Sequence, residues 1–338
     1  LVIVNKEITT MKLVIEMMGG DYGFESTIPA LIQFKKDYPE VELFAVGRKE
    51  DLAPVADYAT IVDARDVVKI DATPLEVLRA KESSLLKAIN TVIEEKADAL
   101  ISAGGTGPYL SAATLKLKLI EGVERAAILA PFPTKIKGKQ VAILDIGASN
   151  ENTASHLYQF ALMGQQYARA VFGVEAPKTY LLSNGTEDTK GSPLVLEAFK
   201  LYKEKELPYF MGQMEARDAL NGEADVVIAD GFTGNVLLKS IEGTAKVLMD
   251  SVKGAFKRNL FSKLGYLFAR KGFKNMAETF DYKNTGGAIL IGVNNVVVKA
   301  HGNSDPRGFY SAILVGYKMA KADIVNKVRE GLKNVETK

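Results

Sequence analysis

Short β-branched apolar runs punctuate the chain, each closed by a turn bearing glycine or aspartate and followed by a stretch with helical spacing of apolar positions. The runs fall at 12–16, 41–46, 99–101, 126–130, 141–144, 179–182, 226–229 and 296–299. This alternation predicts an α/β protein, a three-layer α/β/α Rossmann-like arrangement with a mostly parallel sheet covered by helices. Ligands of such sheets bind beyond the carboxyl ends of the strands, where the turns gather. Residues 251–276 break the alternation: they read as helical and basic, with Phe256, Leu260, Phe261, Leu264, Leu267 and Phe268 forming apolar positions. No repeat, low-complexity tract or Pro/Ser-rich linker occurs, so 11–338 is read as a single α/β domain of two interlocked lobes. Met11-Lys12 opens the first good strand, and residues 1–10 before it are expected to be an upstream extension or remnant.

Composition narrows the chemistry. With 43 basic and 41 acidic residues the formal charge is +2, so no global basic field points to nucleic acid. Cysteine is absent, which removes disulfides, thiolate metal sites and a cysteine nucleophile. His156 and His301 are the only histidines, too few for a multi-histidine metal site. Neither a metal nor a cofactor is expected. No apolar stretch approaches the roughly 20 residues that span a bilayer, and the reading is of a cytoplasmic protein.

Four turns after strands are rich in glycine and small polar residues: Met18–Asp21, Ser102–Gly107, Asp145–Ser149 and Asp230–Asn235. Glycine lets backbone N–H groups turn inward, and the following helix adds its positive end, a combination that suits a phosphate. A tight turn alone also calls for glycine, but four such loops together favour an anion cradle. None carries the Gly-Lys-Ser/Thr ending of a nucleotide P-loop, and 102–107 lacks the spaced glycines and downstream acid of a dinucleotide fingerprint. Lys190, beside Gly191, can place an ammonium over a phosphate or a developing oxyanion, or be a solvated loop lysine. His301, at the end of a strong strand, can exchange a proton or hydrogen-bond its own loop. Asp145 and Asp230 can orient a neighbour or cap the loop that follows.

In this order, the blocks Met18–Asp21, Arg79–Ser84, Ile101–Gly107, Leu144–Ala148, Gly185–Gly191, Glu215–Asp218, Ala224–Lys239, Thr285–Gly292 and Ala300–Asp305 resemble those of the bacterial phosphate acyltransferases. The resemblance runs essentially from Met11 onward. It implies attack of inorganic phosphate on the thioester carbonyl of a fatty acyl chain held by acyl carrier protein, with acyl phosphate passed to a glycerol-3-phosphate acyltransferase in phospholipid synthesis. No cofactor or metal is implied. Carried over, Ser102, Gly104, Gly105, Thr106 and Gly107 would hold phosphate or acyl phosphate, with Asp230, Gly234 and Asn235 facing them. Lys190, His301 and Asn235 would stabilise charge or move the proton. The implied architecture is that of the isocitrate and isopropylmalate dehydrogenases with a protruding amphipathic helical hairpin at 251–276. Its Arg258, Leu260, Phe261, Lys263, Leu264, Leu267, Arg270 and Lys271 would touch the membrane surface, the carrier protein or a second subunit of a homodimer.

Four positions depart from the family pattern: Glu16 for Asp, and Gly105, Ser149 and Gln213 each for Asn. Loss of the amide at 105 leaves only the backbone N–H there as a donor. Two other readings stay open: a phosphotransacetylase acting on coenzyme A thioesters, which shares fold and phosphate chemistry, and a non-catalytic scaffold that binds acyl carrier protein at a membrane. An isopropylmalate-type dehydrogenase would need an acidic metal cluster and an arginine-rich substrate site, and the sequence offers neither.

Overall fold

The computed structural model describes residues 10–257, 260–280 and 286–336; residues 1–9, on which most of the expected extension falls, lie outside them. From the amino end run β1 (Lys12–Glu16), α1 (Phe24–Asp37), β2 (Glu42–Gly47), β3 (Thr60–Asp63), α2 (Pro74–Arg79), α3 (Ser84–Glu94), β4 (Ala99–Ser102) and α4 (Thr106–Leu117). Then follow β5 (Ala127–Pro133), β6 (Gln140–Leu144), α5 (Ala154–Tyr167), β7 (Thr179–Ser183), α6 (Pro193–Glu204), β8 (Phe210–Glu215) and β9 (Val226–Ile228). The chain closes with α7 (Gly231–Lys257), α8 (Leu260–Phe280), β10 (Ala288–Ile291), β11 (Val296–Lys299), α9 (Pro306–Lys321) and α10 (Ile324–Glu336).

These elements form two compact units. One comprises the chain up to Ile120 with Gly286–Asn326; the other comprises Glu121–Thr285 with Lys327–Lys338. In the first, the strand order is β3-β2-β1-β4-β11-β10, every neighbour parallel except the antiparallel β10–β11 pair. In the second it is β5-β6-β9-β7-β8, parallel except for β5–β6. The α/β class and the mostly parallel sheet expected from the pattern are therefore what the chain adopts.

Most strand residues are buried on both faces, as parallel strands covered by helices require. Helix starts are encoded locally. Asp305 accepts the Gly308 N–H at 2.9 Å ahead of Pro306 in α9, and Ser192 accepts the Val195 N–H ahead of Pro193 in α6. Among the histidines, His156 is engaged at a helix start, its Nδ1 accepting the Thr153 N–H in a capping box on α5.

β3, β8 and β10 escape the pattern reading. β3 is half exposed at a sheet edge, β8 is an edge strand whose register with β7 is broken by a bulge, and β10 is four residues beside an antiparallel partner. The segment read as 251–276 begins earlier in the structure, because α7 runs unbroken from Gly231. Arg258 lies outside the described residues, as do the side chains of Leu260 and Lys263.

Candidate functional sites at the strand ends

In the first unit three loops meet at the carboxyl ends of the adjacent strands β1, β4 and β11. Their meeting is built on backbone contacts. The Asp21 N–H donates to Gly302 O at 2.7 Å, and the Ala300 N–H donates to Ser102 O at 2.9 Å. A Cβ on Gly19 would lie 2.6 Å from the Gly104 nitrogen, and one on Gly20, whose φ is +87°, would lie 2.9 Å from Gly302 O. The glycines of the first loop are thus demanded by the approach of the other two.

Beneath the loops lies a buried polar network centred on Glu16, which is 1% exposed. One carboxylate oxygen accepts the Met18 N–H at 3.0 Å and the Ser84 hydroxyl at 2.6 Å. The other accepts the Gly19 N–H at 3.2 Å and the Ser102 hydroxyl at 2.8 Å. Ser102 in turn accepts the Gly104 N–H at 2.9 Å. Ser102 is fully buried and its proton is committed to Glu16, so it shapes the loop from below. The following Gly105 precedes α4, whose first turn has no side-chain cap. Gly104 and Gly105 are half-buried, Thr106 and Gly107 exposed. Backbone N–H groups at the start of a twelve-residue helix, unaided by a capping side chain, are suited to an anion. A Cβ at Gly105 would sit 3.0 Å from the Ile70 Cα, so the missing asparagine side chain is what allows the segment at Ile70 to close over this loop.

His301 is half-buried in the loop after β11, and its Nδ1 accepts the Asn303 N–H at 3.4 Å. Lys299, which the sequence reading passed over, is 7% exposed at the end of β11 and donates to Ala103 O at 3.4 Å and to Ala300 O. Burial lowers its pKa to about 8, while the carboxylates of Glu16 and Asp21 pull the other way.

The second unit has its own convergence. The carboxylate of Asp145, just past β6, accepts four backbone N–H groups: Ile128 at 2.9 Å, Gly147 at 3.1 Å, Ala148 at 2.8 Å and Ser149 at 3.1 Å. Burial raises its pKa against the opposing pull of those four donors. The start of α7 is seated on this loop without space for side chains. A Cβ on Gly231 would fall 2.0 Å from Ser149 O, and one on Gly234 would fall 1.9 Å from Asp145 O. Asp230 accepts the Thr233 N–H at 2.9 Å and its hydroxyl at 2.6 Å, a capping role. Asn235 is exposed on the next turn and lies over Gly147, whose Cβ would be 3.3 Å from the Asn235 amide carbon. Lys190 is exposed; its N–H closes a turn onto Glu187 O at 2.9 Å. Ser149 accepts from Arg125 at 2.7 Å and donates to Glu151 O. The buried Gln213 amide has no hydrogen-bond partner at either polar atom.

The sequence-derived residues thus divide between the units. Ser102, Gly104, Gly105, Thr106, Gly107 and His301 belong to the first; Lys190, Asp230, Gly234 and Asn235 belong to the second. Glu16, Ser84 and Lys299 take part in the contacts beneath these loops and were not among the candidate site residues read from the sequence. A detectable signal existed for two of them: Glu16 and Lys299 are charges that directly follow apolar strand residues and stand just before glycine-bearing loops. A cavity of about 520 Å³ lined by Lys35, Glu42, Tyr58 and neighbours lies at the amino ends of β2 and β3, the opposite strand ends from these loops, and contributes none of their residues.

Residues 11–327 match the family described as fatty acid synthesis protein. The chain is 40% identical over 328 residues to the phosphate acyltransferase of Exiguobacterium sp., covering 94% of this chain and 98% of that one. It is 37% identical to the phosphate acyltransferase of Thermosipho melanesiensis, covering 96% and 97%. Among solved structures, a phosphotransacetylase from Streptococcus pyogenes superposes with a TM-score of 0.60 at 17% identity, over 92% of this chain and 94% of that one. A 4-hydroxythreonine-4-phosphate dehydrogenase from Klebsiella pneumoniae gives 0.53 at 12% identity, over 92% and 100%. These two likenesses show a shared α/β fold. Sequence similarity over nearly the full length places the chain in the fatty acid synthesis protein family, among the phosphate acyltransferases.

Proposed function

We propose that this protein transfers a fatty acyl group from the thioester of acyl carrier protein to inorganic phosphate, giving acyl phosphate for a glycerol-3-phosphate acyltransferase in phospholipid synthesis. The supporting observation is the meeting of three glycine-bearing loops at the carboxyl ends of β1, β4 and β11, with the uncapped start of α4 among them, in a chain similar throughout to phosphate acyltransferases. A phosphate oxygen attacks the thioester carbonyl carbon, a tetrahedral oxyanion forms, and the C–S bond breaks as the carbonyl is restored. The carrier leaves as a thiolate and takes up a proton. The backbone N–H groups of Gly105, Thr106 and Gly107 hold the phosphate, with Gly104 setting the turn. His301 moves the proton. In the second unit, Lys190 and Asn235 stabilise developing negative charge, and Asp230 and Gly234 fix the start of the helix that carries Asn235. The chemistry calls for no cofactor. A homodimer in the cytoplasm, touching the inner face of the membrane through the α7–α8 pair, is the setting we assign to it.

Purified protein incubated with palmitoyl-acyl carrier protein, with and without phosphate, is the direct test, acyl phosphate being trapped with hydroxylamine. Phosphate-dependent hydroxamate is expected. No product here, combined with product from acetyl coenzyme A, would overturn the carrier-protein substrate in favour of a phosphotransacetylase; no product from either would support a non-catalytic scaffold. Lys190→Ala and His301→Ala are each expected to lower kcat/KM by about a hundredfold or more, the scale of one charge-stabilising or proton-moving group. Near-normal kcat/KM in both would remove those roles.

A further inference from the structure

Three polar side chains stand in one row across the carboxyl ends of three adjacent parallel strands: Glu16 on β1, Ser102 on β4 and Lys299 on β11. The register pairs Lys299 with Ser102, and places Ile15 beside Ile101, so that Glu16 and Ser102 are the next aligned pair. Aligned residues of parallel strands point to the same face, and the 2.8 Å bond between Ser102 and Glu16 agrees with this. Glu16 and Ser102 already have full use as supports for the first two loops. Lys299 is the member of the row whose ammonium reaches both the second and the third loop.

We propose that Lys299 is a positioning residue for phosphate: its ammonium ties Ala103 O, at the head of the Gly104–Gly107 loop, to Ala300 O, immediately before His301. It thereby sets the spacing between the anion-binding loop and the histidine and holds a positive charge beneath both. The inference rests on the acyl-phosphate reading given above. A buried lysine costs free energy unless paired, and the groups around this one are suited to keeping it charged. Glu16 from β1 and Asp21 from the loop after it favour the cation. Tyr109 of α4, fully buried, remains a neutral phenol whose single O–H lies within hydrogen-bond reach of two strand carbonyls, Leu100 O at 3.1 Å and Val298 O at 3.2 Å. His301 follows on the same loop. An apolar residue at 299 would fill the volume but leave Ala103 O and Ala300 O without this donor, and would remove the charge that a bound phosphate meets.

Charge at Lys299 is present below a pH of about 8 and is lost above it. Phosphate affinity therefore falls as pH rises through that value. Stability moves in the opposite sense: the folded state releases this proton at lower pH than the unfolded chain, so the group's contribution to stability grows between about 8 and the ordinary lysine value of 10.5. A side chain that only filled space would give neither trend.

The experiment measures phosphate-dependent acyl phosphate formation by wild-type protein, Lys299→Met and Lys299→Arg, across about one pH unit either side of the Lys299 transition. Wild-type protein should show KM for phosphate rising on the alkaline side with kcat changing less. Lys299→Met should raise that KM about tenfold or more and abolish the alkaline rise, and Lys299→Arg, charged throughout, should recover part of the affinity and keep it at high pH. A flat wild-type KM through this range, or Lys299→Met with wild-type kinetics, would overturn the proposal. Should Lys299→Met fail to fold, the wild-type profile and Lys299→Arg decide it. Wild-type protein that makes no acyl phosphate at any pH would instead overturn the underlying reading.

Discussion

At the scale of single residues, the first-unit loops depend on a carboxylate with no spare capacity. Each oxygen of Glu16 accepts one backbone N–H and one serine hydroxyl. In Glu16→Gln one of those oxygens becomes an NH2 group. A serine can rotate to accept from it, but whichever way the amide is turned, a backbone N–H of Met18 or Gly19 faces another donor. That leaves one buried donor unpaired in place of a charge-assisted bond, a loss of about 2–3 kcal/mol. Urea unfolding of Glu16→Gln should show this loss at unchanged m-value, with Glu16→Asp, which keeps both acceptor oxygens, losing less. Sequence reading named the glycines of these loops and His301 as candidates; it noted Glu16 only as a departure from the family pattern and did not single out Lys299. A glycine before a helix is a local signal, whereas the partners of a strand-end charge come from segments as distant as Ser84 and Ala103, which only the fold brings near. The departure at Gly105 was visible in the sequence; its consequence, contact with Ile70, was not.

At the scale of elements, the start of α7 shows why a glycine-rich loop after a strand is more than a flexible turn. Gly231 and Gly234 are the buried positions of this 27-residue helix, and both press on the backbone of the Asp145–Ser149 loop. A methyl group at 234 would lie 1.9 Å from Asp145 O, a backbone atom that cannot swing aside. Gly234→Ala should therefore cost about 3 kcal/mol or more, through overpacking and displacement of the loop. Gly243 is the internal control: it lies in the same helix with nothing within 4 Å of its Cβ position. Gly243→Ala should stabilise by about 0.5–1 kcal/mol, the helix propensity difference. Thermal unfolding of the two variants separates packing from propensity, and equal effects would contradict the seating of α7. The DGFTGN pattern was legible as a loop-to-helix start, and the fully buried strands were legible from their β-branched runs. Edge strands β3 and β8 were not, because their half-exposed and bulged residues carry neither a buried run nor a clean alternation.

At the scale of the whole molecule, block order along the chain was the most informative part of the sequence, since it marked the family before any single loop could. The reading of two interlocked lobes carried no boundaries, because each compact unit is assembled from separate stretches and no Pro/Ser-rich linker marks the changeovers at Ile120 and Gly286. The α7–α8 pair carries large apolar side chains exposed to solvent. Phe256 of α7 and Tyr266 of α8 are in ring contact at 5.4 Å, while Phe261 and Phe268 are 86% and 91% exposed and Leu264 and Leu267 more than half exposed. Arg270 and Lys271 are exposed beside them. No helix among the described residues is long and apolar enough to cross a membrane, so contact with lipid by this face would be interfacial, apolar side chains among the acyl chains and basic ones at the headgroups. Each phenylalanine transferred from water contributes about 1.5–3 kcal/mol, on the order of tenfold to a hundredfold in partitioning. Protein should therefore co-sediment with vesicles containing anionic lipid, less so at high salt, and Phe261→Ser with Phe268→Ser should abolish this while leaving acyl phosphate formation in solution intact. Reversing the charge of Arg258, Lys263, Arg270 and Lys271 should weaken sedimentation with anionic vesicles only. If charge reversal leaves vesicle binding unchanged, and the serine variants instead halve the mass in sedimentation without lipid, the apolar face joins two copies of the chain and the membrane contact is withdrawn.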